Sequence, residues 1–139
     1  MNTPMTTPRT LTIERQLPYP PEKIWRALTE GSLIQEWLMD NDFQAVVGHR
    51  FHFRSTPVAG WDGVIESEVQ TVEANKKLSY SWDTMGLATV VVWTLETTPG
   101  GTMLRMEQTG LEKEANYKGA MYGWQKFIGG LERVVGGLQ

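Results

Sequence analysis

From Leu11 to Leu17 apolar and polar residues alternate, with Leu11, Ile13 and Leu17 on one side and Thr12, Glu14 and Gln16 on the other. A two-residue period puts successive side chains on opposite faces, so this segment predicts a half-buried strand. Arg15 has inward parity and interrupts the apolar face. Pro18 ends the strand. Pro20-Pro21-Glu22 opens a helix, because proline is pre-organised for the first helical position and an acid suits the positive end of the helix dipole. Ile24, Ala27 and Leu28 supply its buried stripe, and Gly31 is the expected C-cap. Ser32 to Gln35 has the form of a capping box starting a second short helix, whose apolar side is Leu33, Ile34, Trp37 and Leu38.

The middle of the chain keeps the two-residue period. Phe43, Ala45 and Val47 alternate before Gly48 and predict a strand. Phe51 and Phe53 alternate with Arg50, His52 and Arg54. A longer strand is expected from about Trp61 to Val72, through Ile65 and Val69. Beyond a turn at Ala74-Asn75-Lys76, Leu78, Tyr80 and Trp82 share one face, then Val91, Trp93 and Leu95. Pro99-Gly100-Gly101 is a strong hairpin signal. Leu104, Met106 and Gln108 follow, with polar Gln108 at inward parity. Short turns between successive strands imply an antiparallel meander.

The period then changes. Ala120, Met121, Trp124, Phe127, Ile128, Leu131, Val134 and Val135 recur at helical spacing and predict one long helix from about Glu114 to Val135. Gly119, Gly123, Gly129 and Gly130 lie inside it. Each costs about 1 kcal/mol relative to alanine, so such glycines are expected to mark close backbone approach or a bend. The fold class is α+β: a curved antiparallel sheet of six to seven strands, two short helices, and one long C-terminal helix covering the apolar face.

The 139 residues suit a single domain. Residues 1–9, rich in Thr and Pro, are expected to be a flexible lead-in, and 10–139 the domain. The absence of cysteine excludes disulfides, thiolate catalysis and Cys-ligated zinc, and suits the cytoplasm. Thirteen Lys and Arg face sixteen Asp and Glu, and Lys76-Lys77 is the only adjacent basic pair. Nucleic acid is therefore not an expected partner. No run approaches the ~20 apolar residues of a membrane span.

Candidate chemistry is sparse. His49 and His52 stand three apart in an extended segment, on opposite faces, and cannot ligate one metal without a bulge. The sequence contains no metalloprotease, phosphate-loop, dinucleotide, EF-hand or nucleophile-elbow motif. No catalytic residue, metal or cofactor is assigned. Glu66, Glu68 and Glu73 read as a polar outer face. Six tryptophans and seven methionines stand out instead. Buried tryptophan needs a partner for its polar edge, and methionine adapts to irregular surfaces. These residues either fill a core or line a cavity. The candidate lining is Trp37, Phe51, Phe53, Ile65, Tyr80, Trp82, Trp93, Met106, Met121, Trp124 and Phe127, with Arg15 and Gln108 as polar groups. Neither polar group is a good general base near neutral pH.

These segments resemble a known family. Ile13-Glu14-Arg15 through Pro20-Pro21, Ile24-Trp25 and Ala27-Leu28-Thr29 resembles the opening of the START-like, or SRPBCC, superfamily. Ile34 with Trp37, Gly48 with Phe51 and Phe53, Leu78 with Tyr80 and Trp82, Gly100-Gly101-Thr102 with Leu104, and Gly123-Trp124 follow in the same order. The resemblance spans about residues 10–136. It is closest to the branch named after the C-terminal domain of the activator of the ninety-kilodalton heat-shock-protein ATPase. It implies a helix-grip fold with a cavity between sheet and C-terminal helix. Members of the superfamily bind lipids, sterols, flavonoids or polyketide intermediates, and some are cyclases. The function it implies is binding of a small hydrophobic, planar aromatic or lipid-like molecule. The alternatives are a co-chaperone-like module acting on a partner protein, and a cyclase or dehydratase.

Overall fold

The computed structural model describes residues 9–138. The expected lead-in lies outside them except for Arg9, whose carbonyl accepts the N–H groups of Gly110 and Leu111 at 3.3 and 3.2 Å. Strand β1 (Thr10–Leu17) is followed by helices α1 (Pro21–Thr29) and α2 (Gly31–Trp37). Strands β2 (Asp40–Asn41), β3 (Arg50–Arg54), β4 (Val64–Glu73), β5 (Lys77–Thr84), β6 (Leu87–Thr98) and β7 (Gly101–Thr109) come next, then helix α3 (Glu114–Gly137). All seven strands form one antiparallel sheet in the order β1-β7-β6-β5-β4-β3-β2. The chain is thus a meander closed by its first strand pairing with its last.

The two-residue period is seen directly in burial. Leu11, Ile13, Phe51, Phe53, Ile65, Tyr80, Val91, Trp93, Leu104 and Met106 are buried on one face of the sheet. The helices lie on that face, where α3 meets α1, α2 and β1. A register shift in β4 between Val69 and Thr71 puts Val72 opposite buried Leu78, so Val69 and Val72 share a face although they are three apart.

Aromatic rings run through the core in edge-on or tilted contact. Phe43, Phe51, Phe53, Trp82 and Trp124 succeed one another at centroid spacings of 5.1, 5.0, 5.1 and 5.0 Å. Trp93 stands 5.7 Å from both Trp37 and Trp124. Full burial of each such side chain contributes roughly 1.5–3 kcal/mol. Two of the polar edges are satisfied here: Trp37 Nε1 donates to the Ala27 carbonyl and Trp93 Nε1 to the Tyr80 hydroxyl, both at 2.9 Å. Burial drives the Tyr80 phenol pKa upward, so this acceptor stays neutral.

One buried polar chain ties α3 to three strands. Trp124 Nε1 donates to Gln108 Oε1 at 2.7 Å. Gln108 Nε2 donates to Thr89 Oγ1 at 3.0 Å, and that hydroxyl donates to the Trp82 carbonyl at 2.7 Å. Gln108, at inward parity on β7, is buried because both ends of its amide are engaged.

Three local expectations are corrected. The alternation at Phe43, Ala45 and Val47 is a turn-rich connection, not a strand. Asn41 Oδ1 accepts the Phe43 N–H, and His49 N–H bonds back to the Val46 carbonyl. Only Phe43 is buried, while Val46 and Val47 are exposed. The long strand starts at Val64 rather than Trp61, because Trp61 pairs with Val58 in an isolated bridge and Gly63 has φ +81°. The capping box at Ser32 does not form. Glu30 is both the C-cap of α1 and the N-cap of α2, and Gly31 is the first residue of α2.

Two predictions follow from these contacts. A Cβ on Gly101 would lie 2.1 Å from the Leu17 carbonyl oxygen, at φ +143°, whereas one on Gly100 would find only the Gln16 side chain at 3.9 Å. Gly101→Ala should lower stability in urea denaturation by more than about 2 kcal/mol, and Gly100→Ala by less than about 0.5 kcal/mol. Gln108→Leu, which strands the buried Trp124 N–H, should lose about 1–3 kcal/mol. Adding Trp124→Phe should then cost less than Trp124→Phe alone, since the orphaned donor is gone; a strictly additive double mutant would contradict the coupling.

Candidate functional site

The packing between sheet and α3 is tight over one half of the helix and open over the other. Ile128, Leu131 and Val135 are buried against the core. Towards the N-terminus the residues facing the sheet become small. Ala115, Gly119, Ala120 and Gly123 line a cavity of about 480 Å³ with the end of β5, the β5–β6 turn and the segment after β7. A Cβ on Gly119 would meet nothing within 4 Å, and one on Gly123 only the Phe127 ring edge at 4.0 Å. By contrast Gly130 lets α2 approach, with Trp37 at 3.4 Å from its missing Cβ. The helix glycines thus divide into two kinds: those that admit a neighbouring element and those that leave open space.

The cavity wall is mostly apolar. Trp82, Trp124 and Phe127 supply the rings, and Leu87 and Leu111 the aliphatic surface. The Trp82 and Trp124 centroids are 5.0 Å apart, and those of Trp124 and Phe127 5.7 Å. The mouth carries Met85, which is 72% exposed and has φ +53°. With Gly86 at φ +75°, it forms the two-residue turn of the β5–β6 hairpin. Methionine in this left-handed region is unusual, and such local strain is concentrated at ligand-binding edges.

Four polar side chains reach the cavity, and two of them are committed elsewhere. Thr84 Oγ1 accepts from Trp61 Nε1 at 2.8 Å and donates to the Val64 carbonyl at 3.0 Å. Gln108 has both amide ends engaged in the buried chain. Asn116 and Lys113 complete the polar lining. No carboxylate or imidazole lines the cavity among the described residues, so it offers no ordinary general acid or base. Nor do the described residues include a group of three or more His, Cys, Asp or Glu placed to hold a metal ion.

The residues singled out from the sequence separate into four sets. Trp82, Gln108, Trp124 and Phe127 line the cavity. Trp37, Phe51, Phe53, Ile65, Tyr80, Trp93 and Met106 have the inward parity expected, but they are packed against one another as core. Met121 is half-buried on α3, against the core and away from the cavity. Arg15 is a correction: its inward parity brings it to the open edge of the helix layer, where its guanidinium lies 3.6 Å from Glu132 with 40% of the side chain exposed. A long cationic side chain near a carboxylate at a solvent edge has no reason to turn inward.

The candidate lining read from the sequence omits Thr84, Met85, Leu87, Leu111, Lys113, Ala115, Asn116, Gly119, Ala120 and Gly123. A signal for part of this set exists in the run of small residues at 115, 119, 120 and 123, which thins the helix stripe just before Trp124. Met85-Gly86 between two alternating strands marks the hairpin at the mouth.

No curated protein matches the chain significantly. Solved structures do. Protein MLL2253 from Mesorhizobium loti is 46% identical, with a TM-score of 0.87 over 94% of this chain and 99% of that one. The solution structure of Bacillus halodurans protein BH1534 is 27% identical, with a TM-score of 0.78 over 94% and 99% of the two chains. CalU16 from Micromonospora echinospora shares the fold at 19% identity, with a TM-score of 0.79 over 92% of this chain and 76% of that one. The family model for the Activator of Hsp90 ATPase homolog 1-like protein matches residues 18–136. The chain therefore belongs to the Activator of Hsp90 ATPase homolog 1-like family, within the START-like, or SRPBCC, superfamily.

Proposed function

We propose that this domain binds one small apolar molecule, planar or lipid-like, in the cavity between α3 and the β5–β6 hairpin. The observation that carries the proposal is the pairing of an aromatic wall with a helix face stripped to Ala and Gly. Ligand pockets are characteristically concave, mostly apolar and of a few hundred Å³. A flat ligand would stack beside Trp82 and Trp124, and Met85 would adapt to its outer edge.

Two other readings find less support. The large exposed apolar side chains among the described residues are Val46, Val47, Val58, Met85 and Tyr122, which fall on four separate segments of the chain. Five such side chains are few, and exposed apolar residues in small number need no partner to account for them. A cyclase or dehydratase needs an acid–base group at the cavity, and Lys113 at the rim is the one ionisable side chain in the described lining.

The test is a calorimetric and tryptophan-fluorescence screen with flavonoids, fatty acids and sterols. A fitting ligand should reach micromolar affinity, about −8 kcal/mol. At a hundredfold excess over its dissociation constant it should stabilise the fold by about 2.7 kcal/mol. Gly123→Leu should abolish binding without lowering the melting temperature, because its Cβ meets no backbone. Gly119→Ala should raise stability by up to about 1 kcal/mol through helix propensity. Failure of every ligand class, or binding that survives Gly123→Leu, would sink the proposal.

A further inference from the structure

The polar character of the cavity is one-sided. Lys113 is the sole charged residue of its described lining. Glu112 and Glu114 flank it in the sequence but do not line the cavity, and Glu114 is held 3.6 Å from Lys118. Lys113 itself takes part in no ion pair among the described residues.

Its position makes this more notable. Lys113 is the N-cap residue of α3, a helix of 24 residues, and no side chain caps the first-turn N–H groups. The N-terminus of a helix carries about half a positive charge, so a lysine there adds like charge to like. Ala115 and Asn116, in that first turn, line the same cavity.

A second feature lies deeper. Trp82 is only 9% exposed, yet among the described residues its indole N–H has no hydrogen-bond acceptor. It is not sealed off either, because the one enclosed orphan among the described side chains is Ser67 Oγ. Trp82 lines the cavity, and its N–H is neither paired nor enclosed among the described residues. The indoles of Trp37, Trp61, Trp93 and Trp124 have acceptors, and the other indole without one among the described residues, Trp25 on α1, is only half-buried and lies outside the cavity lining. The cavity therefore offers a cation and unsatisfied donors beside apolar rings, with no anion to neutralise them.

We infer that the ligand is an apolar acid, an aromatic or aliphatic body carrying a carboxylate or comparable anionic oxygen that lies at the Lys113 end of the cavity. This rests on the binding reading above and adds the charge and orientation of the ligand. The chain as a whole has a net charge of −3, so long-range attraction does not favour anions. Selectivity for an acid must come from the site itself.

The experiment compares naphthoate with naphthamide, which share an apolar body and differ in charge, by calorimetry at low and high salt. Naphthoate should bind about tenfold more tightly at low salt, as expected for one charge-assisted contact. Added salt should reduce that preference. Lys113→Gln should remove most of it, whereas Lys118→Gln, outside the cavity, should preserve it. Gly123→Leu should abolish binding of both compounds. Equal or tighter binding of naphthamide overturns the inference while leaving the pocket reading intact. Loss of the preference in Lys118→Gln to the same degree would assign it to general surface charge and overturn the role of Lys113. Naphthoate binding that survives Gly123→Leu would place the anion elsewhere and overturn the site. Failure of both compounds to bind any variant or the parent would overturn the pocket reading and the inference together.

Discussion

The Trp124 indole, buried between α3 and the sheet, needs an acceptor, and the helix is placed by the bonds that meet that need. Trp124 reaches Gln108 on β7, Gln108 reaches Thr89 on β6, and Thr89 reaches the Trp82 carbonyl on β5. Hydrophobic burial alone would let α3 slide or rotate, because it is non-directional. A directional chain across three strands fixes both the rotation and the axial position of the helix. Every group in it is buried, so a shift of even a fraction of a turn would leave a donor unsatisfied at a penalty of about 1–3 kcal/mol.

The cavity follows from that fixed position. With Trp124 locked over Gln108, the residues one and two turns earlier must face the end of β5 and the segment after β7. Those residues are Ala120, Gly119, Asn116 and Ala115, and they are too small to fill the gap. The turns after Trp124 present Ile128, Leu131 and Val135, and there the layers close. The same anchor therefore makes a sealed core on one side and a cavity on the other.

Most of the fold is legible in the sequence because it depends on periodicity. β1, β5, β6 and β7 alternate with Arg15 and Gln108 as the polar exceptions, and α3 shows its stripe along its buried length. Two kinds of feature are not legible this way. The segment from Phe43 to Val47 alternates by composition, yet a side-chain bond from Asn41 and a backward bond from His49 turn it into a connection. Parity also says which side chains face the helix layer but not which of them meet empty space. Phe51, Tyr80 and Trp93 share the inward face with Trp82, and only Trp82 stands where the opposing helix is small. Distinguishing core from lining needs the volume on the facing element, a tertiary quantity. Arg15 illustrates the other limit: its parity was inward, but its length and charge took it to Glu132 at the edge.

The glycines of α3 argue that the open space is not incidental packing loss. A helix glycine is destabilising by about 1 kcal/mol relative to alanine. Gly130 and Gly136 offset this by admitting other groups: Trp37 lies 3.4 Å and the Tyr19 hydroxyl 2.9 Å from where a Cβ would stand. Gly119 and Gly123 have no such neighbour, so within the domain their effect on the helix is uncompensated. Alanine at both positions would strengthen the helix without a backbone clash, and would narrow the cavity from the side opposite Trp82. What the two glycines preserve is the width between the helix backbone and the ring wall. A molecule occupying that width would restore by contact with Trp82, Trp124 and Phe127 the stabilisation that the bare helix face forgoes.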